Sequence, residues 1–189
     1  MVSLPPRKKT VGCRWVYAIK VGPNGEVDRL KARLVAKGYT QIYGLDYGDT
    51  LSLLAKITTV RMFFAMAAIR HWPLHQLDIK NVFLHSELEE EVYMEQPPGF
   101  VAQGESNLVC KLRRSLYELK QSPRAWFGKF SHVVQSFGMK RSEVDHSVFY
   151  YHTSHGKCVY LVVYVDDIVI TGNDATKISQ LKQHLISHF

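Results

Sequence analysis

Cysteine is scarce in this 189-residue chain, and its spacing excludes two kinds of chemistry. Cys13, Cys110 and Cys158 are odd in number and far apart, with no CxxC. That argues against a disulfide framework and a thiolate zinc site, and it fits a reducing compartment. No apolar run reaches the ~20 residues of a membrane-spanning helix. The opening MVSLPPRKKT lacks the apolar centre of a secretory signal. Its basic cluster reads as a solvated tail, with a nuclear address as the alternative. Internal repeats and low-complexity segments are absent too. Acidic residues are in deficit: 17 Asp and Glu stand against 24 Lys and Arg, a formal charge of +7. That balance points to a polyanionic partner, nucleic acid ahead of a membrane or an acidic protein. Core material is plentiful, at 46% hydrophobic and 12% aromatic, which excludes global disorder. The length suits one domain, or one domain and part of another.

Turn and period signals divide the chain. Two strand-like stretches flank Gly22-Pro23-Asn24-Gly25 and predict a β-hairpin. Its second arm alternates Lys31, Arg33 and Lys37 with Leu30, Leu34 and Val35. Ile57, Val60, Phe63, Phe64, Ala67 and Ala68 form a helical stripe that Pro73 ends. LHQLDIKNVFL then reads as a short strand leaving a core at Asp78, and EEEVYMEQPPGF as an acidic strand before a Pro-Gly turn. A second helix starts near Pro123, with Trp126, Phe127, Phe130, Val133, Val134 and Phe137 on one face and Gly138 as its stop. Two strands joined at Ser154–Gly156, an acidic pair and a third short strand follow. Asp174 is the expected N-cap of a last helix.

The stretch YLVVYVDDIVITG sets the acids Asp166 and Asp167 inside a run that otherwise reads as buried strand. Ionised carboxylates are costly there unless a cation or an exposed turn accommodates them. A β-α-β-β-α order places the Asp78 strand and the Asp166-Asp167 hairpin in one sheet, with the helices on its other face. The three acids then converge at one edge. Oxygen ligands of this kind suit Mg²⁺, and two such ions serve in-line phosphoryl displacement. An Asp-Asp pair is also a common turn or cap, and the residues alone leave both readings open. His152 and His155 read as a surface turn.

Five ordered segments carry a resemblance: KARLVAKGYTQ, LDIKNVFLH, EVYMEQPPGF, VCKLRRSLYELKQSPRAWF and YVDDIVITG. From about Val11 onward the chain resembles the reverse transcriptases of copia-type LTR retrotransposons. The resemblance implies an α+β fold, the fingers and palm of a right-hand polymerase with a ferredoxin-like βαββα palm. Fingers would span roughly 11–72 and part of 86–120, and palm roughly 73–85 and 121–189. The family's thumb, RNase H and integrase fall outside this stretch. The implied reaction is RNA-directed DNA polymerisation, in which a primer 3′-hydroxyl attacks a dNTP.

The implied cofactor is two Mg²⁺ ions, with Mn²⁺ as a substitute, held by Asp78, Asp166 and Asp167. Lys31, Arg33, Ile79, Phe83 and Gln121 would bind the nucleotide. Phe83 would lie under the sugar and exclude a 2′-hydroxyl, while Lys31, Arg33 and Lys37 stay open as the triphosphate contact. Tyr164, Lys120, Ser122 and Pro123 would meet primer or template. Each has a plainer reading: Phe83 as a core aromatic, Lys31 and Arg33 as a solvated strand face, Gln121-Ser122-Pro123 as a capping turn. The implied partners are a primed RNA or DNA template, dNTP and the rest of a Pol polyprotein, without a membrane. The implied setting is a cytoplasmic particle or the nucleus.

Four positions depart from the family pattern: Glu118 where Gly is expected, Leu51 and Leu53 in place of Phe and Pro, and Ser86 in place of Gly. Glu118 is expected to oppose a triphosphate. These departures favour, as the alternative function, a decayed and catalytically silent nucleic-acid-binding remnant. The stretch as it stands is expected to grip primer–template weakly and to polymerise poorly or not at all. A nucleotidyl cyclase on a similar palm is the third reading, which LKQSPRAWF and the basic hairpin count against.

Overall fold

The computed structural model describes residues 1–50, 55–101 and 107–189; Leu51 and Leu53 lie outside the described residues. The fold is mixed α+β, as expected. Contacts separate two compact units, Met1–Thr50 with Ser86–Ala125 and Leu51–His85 with Trp126–Phe189. The first helix packs within the second of these units.

In the first unit, β1 (Val2–Ser3), β2 (Thr10–Val11), β3 (Cys13–Val21) and β4 (Val27–Ala36) precede β6 (Glu87–Met94) and β7 (Leu108–Arg114). β3 and β4 form the anticipated hairpin, closed by Gly25 N–H on the Gly22 carbonyl. Its register sets Trp15 opposite Leu34, Tyr17 opposite Ala32 and Ile19 opposite Leu30. That face is apolar. The other face carries Lys31 opposite Ala18, Arg33 opposite Val16 and Arg29 opposite Lys20, because a strand alternates faces with period two. The remaining strands make a sheet in the order β1-β7-β6-β2. A small core of Val11, Ala36, Val92 and Leu119 is packed by Leu88, Leu112 and Leu116.

A close approach fixes one glycine in this unit. A Cβ on Gly38 would stand 1.9 Å from the Glu118 carbonyl oxygen, so only glycine lets the two backbones meet.

The second unit is built on one antiparallel sheet in the order β5-β11-β10-β9-β8. Its strands are β5 (Leu74–Asp78), β8 (Lys140–Arg141), β9 (Val148–His152), β10 (Cys158–Tyr164) and β11 (Asp167–Gly172). The helices are α1 (Ile57–Arg70), α2 (Ser122–Ser136), whose first turn counts with the first unit, and α3 (Ala175–His188). Central β10 explains the long apolar run, since it is covered on both faces. On one side Val159, Leu161 and Val163 join Phe127, Phe130 and Val134 of α2 and Ile178, Leu181 and Leu185 of α3. On the other, Val162 packs with Phe63 of α1.

The two helices of the β-α-β-β-α run, α2 and α3, thus share the face away from the acids, whereas α1, which precedes that run, does not. α1 is apolar nearly all round, so it buries Thr59, Phe63 and Ala67 and still exposes Ile57 and Phe64. It lies on the acid-bearing face. Its N-cap Lys56 offers no capping side chain. Asp145 supplies one from the β8–β9 connection, accepting from the Thr59 hydroxyl at 2.5 Å and from the Lys56 backbone. α3 is capped locally, by Asp174 accepting the Lys177 N–H at 3.0 Å.

Candidate active site

The acids come together through strand register. Asp167 opens β11 directly opposite Asp78, the last residue of β5. Directly opposed residues share a face with their Cβ atoms about 4.5–5.5 Å apart. On the other side Asp167 is opposite Tyr164, which closes β10 and is 45% exposed. Val165 and Asp166 alone make the turn between these strands. Asp78 and Asp166 are exposed and Asp167 is half-buried. Gln76, two residues before Asp78 and so on the same face, donates its amide to Asp167 Oδ1 at 2.9 Å. A groove of about 410 Å³ between α1 and the sheet runs up to Asp167 and Tyr164, lined by Val60, Phe64, Leu74 and Val169 among others.

The turn is strained. Val165 has φ +57, a left-handed conformation that costs an L-residue about 1–2 kcal/mol and is least tolerated when the side chain is β-branched. Such strain persists only where surrounding contacts over-determine it, and it concentrates at functional sites. Two such contacts are visible. The Asp166 carbonyl accepts the Ile79 N–H at 3.1 Å, and the Val165 carbonyl accepts the buried Trp126 indole N–H at 3.0 Å.

Two carboxylates directly opposed on neighbouring strands repel. A cation between them turns that cost into binding. The donor set is all oxygen, which is the chemistry of a hard divalent ion such as Mg²⁺. Among the described residues no three His, Cys, Asp or Glu side chains are grouped closely enough to enclose one ion. The fit therefore rests on the Asp78–Asp167 pair, with Asp166 on the adjoining turn.

The other sequence-predicted residues are distributed as follows. Ile79 is 9% exposed with its side chain in the core, and only its N–H reaches the acidic turn. Phe83 is half-buried against the same core, in the short 3₁₀ turn Val82–His85. In the first unit, Arg33 stacks over the Tyr117 ring at 5.7 Å, and its Nε is buried without a hydrogen-bond partner. Lys31 is half-buried on the same ribbon face. Gln121 is fully buried: its Oε1 accepts from Gln41 at 3.1 Å and its amide donates to the Asp46 carbonyl. Lys120 is exposed while its backbone N–H is held by Gln41 at 2.9 Å. Ser122 donates to the Leu116 carbonyl at 2.7 Å, and Pro123 follows in the first turn of α2.

Glu118, in the first unit, has a partner of its own. It stands at φ +69, the conformation in which the family's Gly is favoured. Its carboxylate is not an uncompensated charge, because Arg14 Nη2 lies 3.3 Å from both oxygens. Sequence reasoning missed Gln76, Trp126 and Asp145 as contributors. Gln76 was accessible from its i−2 spacing to Asp78 on a strand; the other two act on partners distant in sequence.

Comparison with known proteins gives a consistent result. The family model described as "Reverse transcriptase (RNA-dependent DNA polymerase)" matches residues 1–189. The retrovirus-related Pol polyprotein from transposon RE1 of Arabidopsis thaliana is 46% identical over 191 residues, covering 100% of this chain and 13% of that protein. The corresponding RE2 protein is 44% identical over 185 residues, covering 98% of this chain and 13% of its own length. The Pol polyprotein from transposon TNT 1-94 of Nicotiana tabacum is 40% identical over 189 residues, covering 100% and 14%. The chain thus spans about an eighth of the length of these relatives.

Proposed function

The chain belongs to the reverse transcriptase (RNA-dependent DNA polymerase) family, and from that premise we propose that it is the fingers–palm region of a copia-type Pol polyprotein. In this reading the first unit is the fingers and the second the palm. The reaction adds a dNTP to a primer 3′-hydroxyl, directed by an RNA or DNA template. One observation carries the proposal: Asp78 and Asp167 are cross-strand partners beside a strained turn that bears Asp166.

Asp78, Asp166 and Asp167 hold the divalent ions. When bound, two Mg²⁺ or Mn²⁺ ions stabilise the attacking and leaving oxygens of an in-line phosphoryl displacement. The carboxylates supply the negative charge that retains them. Gln76 holds one Asp167 oxygen in place through its amide. Tyr164, exposed on the same sheet face, meets the primer end, with Lys120 and Pro123 serving primer–template and the buried Ser122, whose hydroxyl is held by the Leu116 carbonyl, positioning their segment. Phe83 bounds the sugar and excludes a 2′-hydroxyl. Lys31, Arg33 and Lys37 are the candidates for the triphosphate, and protein partners commit the Gln121 side chain to positioning the segment that carries Lys120. Template, dNTP and the remaining Pol domains are the partners. No described helix is long and apolar enough to cross a membrane.

Primer extension tests this reading. The chain with a primed template, dNTP and Mg²⁺ or Mn²⁺ is expected to give added nucleotides that Asp166→Asn abolishes. Two observations favour a second reading, a silent nucleic-acid-binding remnant. Glu118 occupies a left-handed position, and the Ser86 hydroxyl, on a residue 1% exposed, has no hydrogen-bond partner. Salt-sensitive duplex binding with no extension under any metal selects that reading.

A further inference from the structure

We infer that Trp126 is a positioning residue for the acidic turn, acting through its indole N–H. The inference rests on the proposed function, since it concerns the carboxylates assigned there to the metal ions. Three observations lead to it. Val165 stands at φ +57, so the turn that carries Asp166 is held against its own backbone preference. The Val165 carbonyl accepts one side-chain hydrogen bond, from Trp126 Nε1 at 3.0 Å. That indole is itself fixed: Trp126 is 2% exposed, and its ring packs against Phe130 at 5.4 Å and Phe189 at 5.0 Å.

A plain core tryptophan needs only burial of its ring. Here the polar edge of the indole meets the peptide that would reorient if the turn relaxed to a negative φ at Val165. Relaxation swings the Val165 carbonyl away from α2 and moves the next residue, Asp166, relative to the Asp78–Asp167 pair. The same helix holds the segment after Asp78. Lys129, one turn beyond Trp126 on α2, donates to the His85 carbonyl at 2.7 Å, closing the 3₁₀ turn Val82–His85 that follows β5. α2 therefore braces both acid-bearing connections, and Trp126 braces the strained one.

The test replaces Trp126 by β-(3-benzothienyl)alanine, which keeps the bicyclic shape and lacks the N–H; Trp126→Phe is the second variant. Hydrogen exchange of the Ile79 amide, which donates to the Asp166 carbonyl, reports the turn without requiring activity. Mn²⁺ affinity by electron paramagnetic resonance reports the carboxylates. Losing one net hydrogen bond is expected to speed that exchange and weaken Mn²⁺ by about 3- to 10-fold each, with the melting temperature little changed in the analogue.

In a Val165→Gly background, where the strain is gone, the same replacement should change both by less than about 3-fold. Unchanged Ile79 exchange in the analogue overturns the inference, whatever the metal does. An effect of equal size in the Val165→Gly background overturns it too, because Trp126 would then serve packing alone. Faster exchange in a chain that binds no Mn²⁺ even unsubstituted supports the brace and overturns the metal reading beneath it.

Discussion

Glu118 combines a backbone strain and an ion pair, and two substitutions separate them. Its φ of +69 costs a residue with a Cβ about 1–2 kcal/mol. Glycine escapes that cost but loses about 0.5–1 kcal/mol to the greater freedom of the unfolded chain. The pair with Arg14 is 43% exposed on the Glu118 side and 54% on the Arg14 side. It contributes at most about 1 kcal/mol and is screened by salt. Glu118→Ala removes the pair and keeps the strain, whereas Glu118→Gly removes both. The glycine variant should therefore exceed the alanine variant by about 0.5–1 kcal/mol in urea unfolding. That gap should be the same in low and molar salt. The loss in Arg14→Ala should shrink as salt rises. An alanine variant at least as stable as the glycine variant would refute the reasoning, since the left-handed position would then cost no more than the freedom glycine adds to the unfolded chain.

Asp145 caps α1 and should impose a pH dependence. Burial alone would raise its pKa, but hydrogen bonds from the Ser147 and Thr59 hydroxyls and from the Ser147 and Lys56 backbones outweigh it and hold the group below its ordinary value. A depressed folded pKa means that the stabilisation is fully present above the ordinary carboxylate range and is lost as pH falls through the folded value. Asp145→Ala should cost about 1–2 kcal/mol at neutral pH and flatten the acid limb of a stability–pH curve. An unchanged limb would show that the cap is not ionised. Ser86→Ala should stabilise by about 1 kcal/mol, because a buried hydroxyl without a partner is removed; a loss in that variant, by chemical denaturation, would show that this hydroxyl is satisfied. Phe83→Val should raise ribonucleotide over deoxyribonucleotide incorporation in single-turnover assays. Unchanged discrimination would leave Phe83 a core aromatic.

Local signals made much of this fold legible. The β3–β4 hairpin followed from Gly22-Pro23-Asn24-Gly25 and the alternation around it. The stop of α2 followed from Gly138, which has φ +97, and the start of α3 from Asp174. Even the apolar run around Asp166 and Asp167 had a legible cause, for β10 is the middle strand of its sheet. The side chosen by α1 was not legible: a helix apolar nearly all round has no polar face to mark solvent. β1 and β2 are two residues each, too short to show a period. Asp145 caps a helix 86 residues away, and Trp126 reaches a carbonyl 39 residues away. Those partners exist only once the sheet has formed. The three acids stand out in the sequence because residue type and strand ends converge on them, whereas the pairing of Asp78 with Asp167 rather than Asp166 is a matter of register.

Register also dictates the most direct test of the account. Mn²⁺ titration followed by electron paramagnetic resonance should be run on the unsubstituted chain, Asp78→Asn and Asp167→Asn. If these cross-strand partners share a divalent ion, saturable binding should weaken at least about 10-fold in each variant, as loss of a charged ligand implies. Equal Mn²⁺ affinity in all three chains would contradict the assignment of this sheet edge as the metal-dependent centre.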